Sequence, residues 1–428
     1  MSATLTPPVE AQLPRGRAGP TSGTAAPNTR ERLLSLDVFR GLTVAGMLLV
    51  NDPGTWSAIY PPLEHAPWHG WTPTDLVFPF FLFIVGITTQ LSLDARRARG
   101  DDDAAIRRQI LRRGALILLF GFLINGFPFF TWGAVQGNPD PTFADRIVDR
   151  LLHWRIFGVL QRIGVAYAIS ALIATRARVR TQVIVTAALL FAYWIIMTVL
   201  PVPGSNGMIG ALLLDKPEAT MAAYWDRVFL DWSRVGLGNH LWINSLTWDP
   251  EGVLSTMGAV STALVGNLAG RWISQPRPLV ERVCGLFAAG ALAMMVGTMW
   301  HWSFPINKNL WTGSYVVFTG GMACVALATI MWLVDIQSWR WWTKPFVVYG
   351  VNPMVAFVGS AVMARLIYSI FKVNYGGQRV SLQAAVYQSA FASWLPERLA
   401  SLAFAIAFVL FWFGVLSVLY RRNIILKV

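Results

Sequence analysis

Residues 63–86 read LEHAPWHGWTPTDLVFPFFLFIVG. From Asp75 onward the stretch is an apolar run that continues to residue 95, long enough to cross a bilayer, for which about 20 residues suffice. The run is continuous rather than alternating, and in lipid only a helix or a closed barrel satisfies its own backbone polar groups, so it is read as a membrane helix. Ahead of it stand two imidazoles, His65 and His69, among prolines and tryptophans, with the Asp75 carboxylate at the mouth of the helix.

Working outward, nine more runs of the same character follow the chain. The ten together are 36–51, 75–95, 110–130, 156–174, 182–201, 253–273, 279–300, 310–333, 344–370 and 399–420. Of the 428 residues 55% are hydrophobic and 13% charged, against about 25% charged in a soluble domain. The expected fold class is therefore all-α, a polytopic membrane helix bundle of about ten spans. The net charge of +13 would suit nucleic acid, but its placement argues otherwise. Segments on the side of the N-terminus hold 22 Lys and Arg and those on the other side hold 10, which puts the first side, with both termini, in the cytoplasm. The outer loop 52–74 contains no basic residue. Residues 1–34, rich in Pro, Thr, Ala and Arg, are expected to form a disordered cytoplasmic tail, and 35–428 a single membrane domain. Cys284 and Cys324 fall inside spans and are read as small buried hydrophobes. The histidines show no metal-ligand spacing, so no metal is expected.

Polar groups inside spans are costly and point to function. Asp37 and Arg40 share a face of the first helix, three residues apart. Gln161 and Arg162 sit in the fourth span, Asn307, Lys308 and Asn309 at the outer mouth of the eighth, and Asn352 precedes Pro353, which is expected to kink the ninth span. The segment 202–252 is too polar to cross, and its tryptophans suit an interface. Pro67 between His65 and His69 argues against a regular helix, so spacing alone leaves open whether the two rings meet.

Taken in order, SLDVFRG (35–41), LVN (49–51), HAPWHGWTPTDLVFP (65–79), GVLQRIGVAY (158–167), LPVPG (200–204), DPEG (249–252), PINKNLWTGSYV (305–316) and LYRRNIILKV (419–428) resemble the transmembrane heparan-α-glucosaminide N-acetyltransferase family from about Arg32 to the C-terminus. The resemblance implies transfer of an acetyl group from cytosolic acetyl-CoA to an amino sugar across the membrane, with His65 as the catalytic residue. Asp75 then holds the tautomer of His65 and Asn51 donates to the thioester oxygen. A His65 base and an acetyl-imidazole intermediate are both open routes. Arg40, Gln161, Arg162, Lys308 and Asn309 are expected to contact acetyl-CoA, and Asp249, Glu251 and Asn307 the acceptor, with His69 accessory. Lysosomal members carry a luminal N-terminal domain absent from this sequence, and 202–252 matches only at its ends. A bacterial inner-membrane relative with a small acceptor, such as glucosamine, is the expectation. The lipid bilayer and a small amino sugar are the expected partners, with homo-oligomerisation open and no nucleic acid. Two rivals remain: a solute transporter, disfavoured by the absence of an inverted repeat, and an O-acyltransferase of envelope polysaccharide.

Overall fold

The apolar runs fold into helices in a computed structural model that describes residues 33–135 and 137–426. The disordered tail expected at 1–34 therefore lies, but for its last two residues, outside the described residues. Fourteen α-helices are described: α1 (Leu34–Asn51), α2 (Val77–Ala98), α3 (Asp103–Gly126), α4 (Phe143–Leu152), α5 (Val159–Arg176), α6 (Val179–Thr198), α7 (Met221–Leu230), α8 (Thr256–Ile273), α9 (Leu279–Trp300), α10 (Gly313–Met331), α11 (Thr343–Val351), α12 (Pro353–Arg365), α13 (Leu382–Tyr387) and α14 (Glu397–Arg421). Each of the ten apolar runs coincides with one of them, or with the pair α11–α12. Eight helical segments are long and apolar enough to cross a membrane on composition alone. The remaining two, α5 and α8, are interrupted by Gln161 and Arg162 and by Ser261, Thr262 and Asn267. All five of these residues are buried, because α5 and α8 pack against each other and against α2.

Small residues set how closely these helices approach. A Cβ on Gly86 of α2 would fall 2.1 Å from the Ala263 carbonyl oxygen of α8, and one on Gly266 2.1 Å from that of Phe83. Such backbone-to-backbone contact is the usual device where lipid supplies no hydrophobic drive between helices. On the other side α1 packs on α11, where Arg40 Nε donates to the Gly350 carbonyl at 2.6 Å and the same guanidinium pairs with Asp37 at 2.5 Å.

The ninth span goes further than the kink expected of its Asn-Pro pair and divides into two helices. The ring of Pro353, without an N–H, cannot continue the hydrogen-bond ladder, so α11 ends at Val351 and α12 starts afresh. The buried Asn352 side chain fills the gap: Nδ2 donates to the Ile424 carbonyl at 2.9 Å and Oδ1 accepts the Leu426 N–H at 3.0 Å. The chain end is thereby held against the break. The segments between spans form the polar elements: amphipathic α4 and α7, and one hairpin, β1 (Lys372–Tyr375) paired antiparallel with β2 (Gln378–Ser381). Gly376 and Gly377 make its turn at φ +57° and +79°, the left-handed pair that a two-residue hairpin needs. One expectation is corrected: Cys324 is buried, but Cys284 is exposed, because α9 packs mainly on α10 and turns its opposite face away from the bundle.

Candidate active site

The His65 loop is fixed from both ends. At its end, Pro73–Leu76 forms a 3-10 turn into α2, with Thr72 and Asp75 capping each other. Asp75 Oδ2 accepts the backbone N–H groups of Ala66 and Thr72, each at 3.0 Å, and Tyr315 Oη donates to the Asp75 carbonyl at 2.5 Å. Asp75 Oδ1 lies 2.6 Å from His65 Nδ1. A carboxylate so supplied with donors is acceptor-only, so Nδ1 carries the proton and Nε2 is left as the basic nitrogen of the ring. Pro67 makes no helix between the histidines, and the two rings part: His69 Nε2 pairs with Asp215 at 2.9 Å and its Nδ1 receives Asn307 Nδ2 at 3.3 Å. Further struts hold the loop, with Trp68 Nε1 donating to the Leu214 carbonyl at 2.7 Å and Gly70 N–H to that of Ile306 at 2.8 Å.

His65 opens onto a cavity of about 350 Å³ between α1, α2, α5 and α12. Its polar lining comprises Asn51, His65, Thr74, Arg155, Glu251 and Lys308, and its apolar walls include Phe78, Phe81, Ile163, Trp242, Met354 and Phe357. The imidazole is 44% exposed, so it is reachable, whereas Asp75 behind it is 1% exposed. Lys308 Nζ lies 3.0 Å from His65 Nδ1, 3.1 Å from Nε2 and 3.6 Å from Asp75 Oδ1. Burial lowers the pKa of Lys308, against the pull of Asp75 and Glu251.

Along one wall of the cavity stands an ion cluster built from two expected residues and one that sequence reasoning passed over. Arg155 binds Asp249 through two hydrogen bonds, at 2.8 and 2.6 Å, and also pairs with Glu251. Burial works against the Arg155 charge, but Glu251 and Asp249 outweigh it and hold the guanidinium above its usual range. Burial likewise pulls Glu251 upward, yet Arg155, Arg162 and Lys308 together keep it below the ordinary carboxylate range. Asp226 of α7 accepts the N–H groups of Asp249 at 3.1 Å and Val253 at 2.9 Å. Even so, burial pushes its carboxyl up to about 7. The signal for Arg155 was present in the two carboxylates of DPEG, which needed a cation.

Of the expected site residues, Asn51, His65, Glu251 and Lys308 share the cavity, and Asp75 and Asn307 stand behind its histidine loop. Asp249 is buried beneath Glu251. Arg162 and Gln161 do not line the cavity: they face inward on α5, where Arg162 is fully buried, donates to Ser255 and to the Gly252 carbonyl, and lies 5.1 Å above the Trp311 ring. Asn309 is not among the lining residues either. Arg40 sits eleven residues from Asn51 on α1, about 16 Å along the helix, and is engaged with Asp37 and Gly350.

An all-α bundle of membrane helices, with a carboxylate-held imidazole over a cavity that reaches between the spans, defines a polytopic membrane protein with an enzyme-like centre. A model of the catalytic region of heparan-alpha-glucosaminide N-acetyltransferase matches residues 32–221, which contain Asn51, His65 and Asp75. The heparan-alpha-glucosaminide N-acetyltransferase of Mus musculus is 29% identical over 398 residues, covering 81% of this chain and 56% of that protein. The Homo sapiens protein of the same name is 28% identical over 392 residues, with the same coverage. Over most of its length the chain is therefore similar to the heparan-α-glucosaminide N-acetyltransferases. It spans about half the length of these curated relatives.

Proposed function

We propose that the protein is a membrane acetyltransferase that moves an acetyl group from cytosolic acetyl-CoA to the amine of glucosamine or of a terminal glucosaminide on the extracytoplasmic side. The observation that carries this reading is the Asp75–His65 pair at 2.6 Å, set on the wall of the cavity. With Nδ1 committed to Asp75, Nε2 is left as the ring nitrogen that can accept a proton. A sugar amine at neutral pH is mostly ammonium. Nε2 takes its proton, the freed nitrogen attacks the thioester carbonyl carbon, the carbon–sulfur bond breaks, and the thiolate leaves with a proton. A base so placed contributes about 10²–10⁴-fold. Asn51, on the same cavity, is assigned as a donor to the carbonyl oxygen. A cavity of about 350 Å³ suits the acyl end of the donor together with a sugar ring, and the nucleotide of CoA would lie outside it. The Lys and Arg bias along the chain supports the assigned sidedness.

The test is direct. Purified protein is incubated with acetyl-CoA labelled in the acetyl group and with glucosamine, and N-acetylglucosamine and free CoA are measured. Both should accumulate with the wild type, and His65→Ala should abolish the product while the variant still binds CoA. Full activity in that variant would remove His65 from the mechanism.

A further inference from the structure

Lys308 has a geometry that binding of CoA phosphates does not require. Its Nζ is almost equidistant from the two ring nitrogens of His65, at 3.0 and 3.1 Å. A point that close to both clears the ring carbons only if it stands over the ring face. Nδ1 donates its proton to Asp75 and so cannot accept from the ammonium, and from over the ring face Nζ lies out of line with the in-plane lone pair of Nε2, so that contact at 3.1 Å is a poor hydrogen bond. The Asp75 oxygen nearest to Nζ is 3.6 Å away, beyond hydrogen-bond distance, and no other carboxylate among the described residues comes within 4 Å of it. A mostly buried ammonium thus lacks a good acceptor, in a chain whose other buried cation on this cavity, Arg155, is fully engaged. Burying such donors is costly unless something fills them. The open direction is the cavity, which Lys308 lines together with Asn51 and His65.

We propose that Lys308 Nζ is the charged donor to the thioester carbonyl oxygen, the group that stabilises the oxyanion while His65 works on the amine. This rests on the acetyl-transfer reading above. In the step itself, the amine nitrogen bonds to the carbonyl carbon and its proton passes to His65 Nε2. The carbonyl π pair moves onto oxygen, where Lys308 and the neutral amide of Asn51 receive it. The pair returns as the carbon–sulfur bond breaks, and the thiolate takes a proton. Nζ is 3.1 Å from Nε2, so a carbonyl turned towards Lys308 while its carbon is attacked beside Nε2 can bring its oxygen within the reach that an oxyanion donor needs, about 2.7–3.1 Å.

The measurement is isotope-edited infrared spectroscopy of acetyl-CoA carrying ¹³C at the carbonyl, bound to the full chain in detergent, alongside steady-state kinetics with glucosamine. In the wild type the bound carbonyl stretch should move to lower frequency than in solution. Lys308→Met should move it back most of the way towards the solution value, the remainder being due to Asn51, and lower kcat by about 10²–10³-fold, leaving KM for glucosamine little changed. Lys308→Arg, which keeps the charge, should recover part of both. A Lys308→Met protein with the full shift, or with wild-type kcat, overturns the inference. If the wild-type complex itself shows the solution frequency, the inference falls while thioester binding stands. If the wild type binds no thioester, the inference and the acetyl-transfer reading fall together. Should Lys308→Met fail to fold, Lys308→Gln, which removes the charge but keeps a polar side chain, carries the same comparison, and the full wild-type shift in it overturns the inference.

Discussion

At the scale of single residues, the site depends on which proton sits where. Asp75 can serve as acceptor only, and this fixes the His65 tautomer. Asparagine at 75 would present an N–H to Nδ1, favour the opposite tautomer and leave Nε2 protonated. Asp75→Asn should therefore lower kcat by about 10⁴-fold, the scale seen when a carboxylate that orients a histidine is made neutral. Single-turnover acetyl transfer, with CoA binding as the control, measures it. The sequence made His65 legible through its resemblance to a family and not through spacing, since Pro67 removed any regular geometry between the two imidazoles. Arg155 was not legible. Lying in an outer loop next to Trp154, it read as one more topology charge, and its pairing with Asp249 spans 94 residues of chain.

At the scale of elements, the ten apolar helical runs were legible because continuous apolar length is a strong local signal, and a kink at Asn352–Pro353 followed from the ring of proline. What the break there holds was not legible. Asn352 is fully buried, and its two hydrogen bonds reach the backbone of Ile424 and Leu426. Asn352→Ala removes both and leaves the partner groups to find other bonds. With a net worth of about 1 kcal/mol for each hydrogen bond, thermal unfolding in detergent should show a loss of roughly 1–3 kcal/mol, and carboxypeptidase should remove the C-terminal residues faster. The inward turn of Gln161 and Arg162 was hidden for a related reason. Periodicity says that a helix has faces, but which face meets Trp311 and Ser255 is decided by helices a hundred residues away.

For the whole molecule, the polar segments outside the spans add a dependence on pH that no span explains. Asp226 binds its proton more tightly when folded than in an ordinary carboxylate, its pKa being pushed up to about 7 by burial. Folding then takes up a proton between the two values. The contribution to stability is complete below the ordinary carboxylate range and is lost as pH rises through about 7. Asp226→Asn, neutral at every pH, should therefore gain on the wild type in melting temperature between pH 5 and pH 8. A difference that stays constant across that range would show that Asp226 does not titrate there. The charge bias of the loops was readable without any structure. The 202–252 segment was readable only as a region excluded from the membrane, although it supplies Trp242, Asp249 and Glu251 to the centre.

The seam between α11 and α12 carries one more implication. Met354 and Phe357, just past it, form part of the cavity wall, while the side chain at the seam grips the polypeptide near its carboxyl end. Tension on the segment Ile424–Leu426 would therefore act on the chamber wall itself.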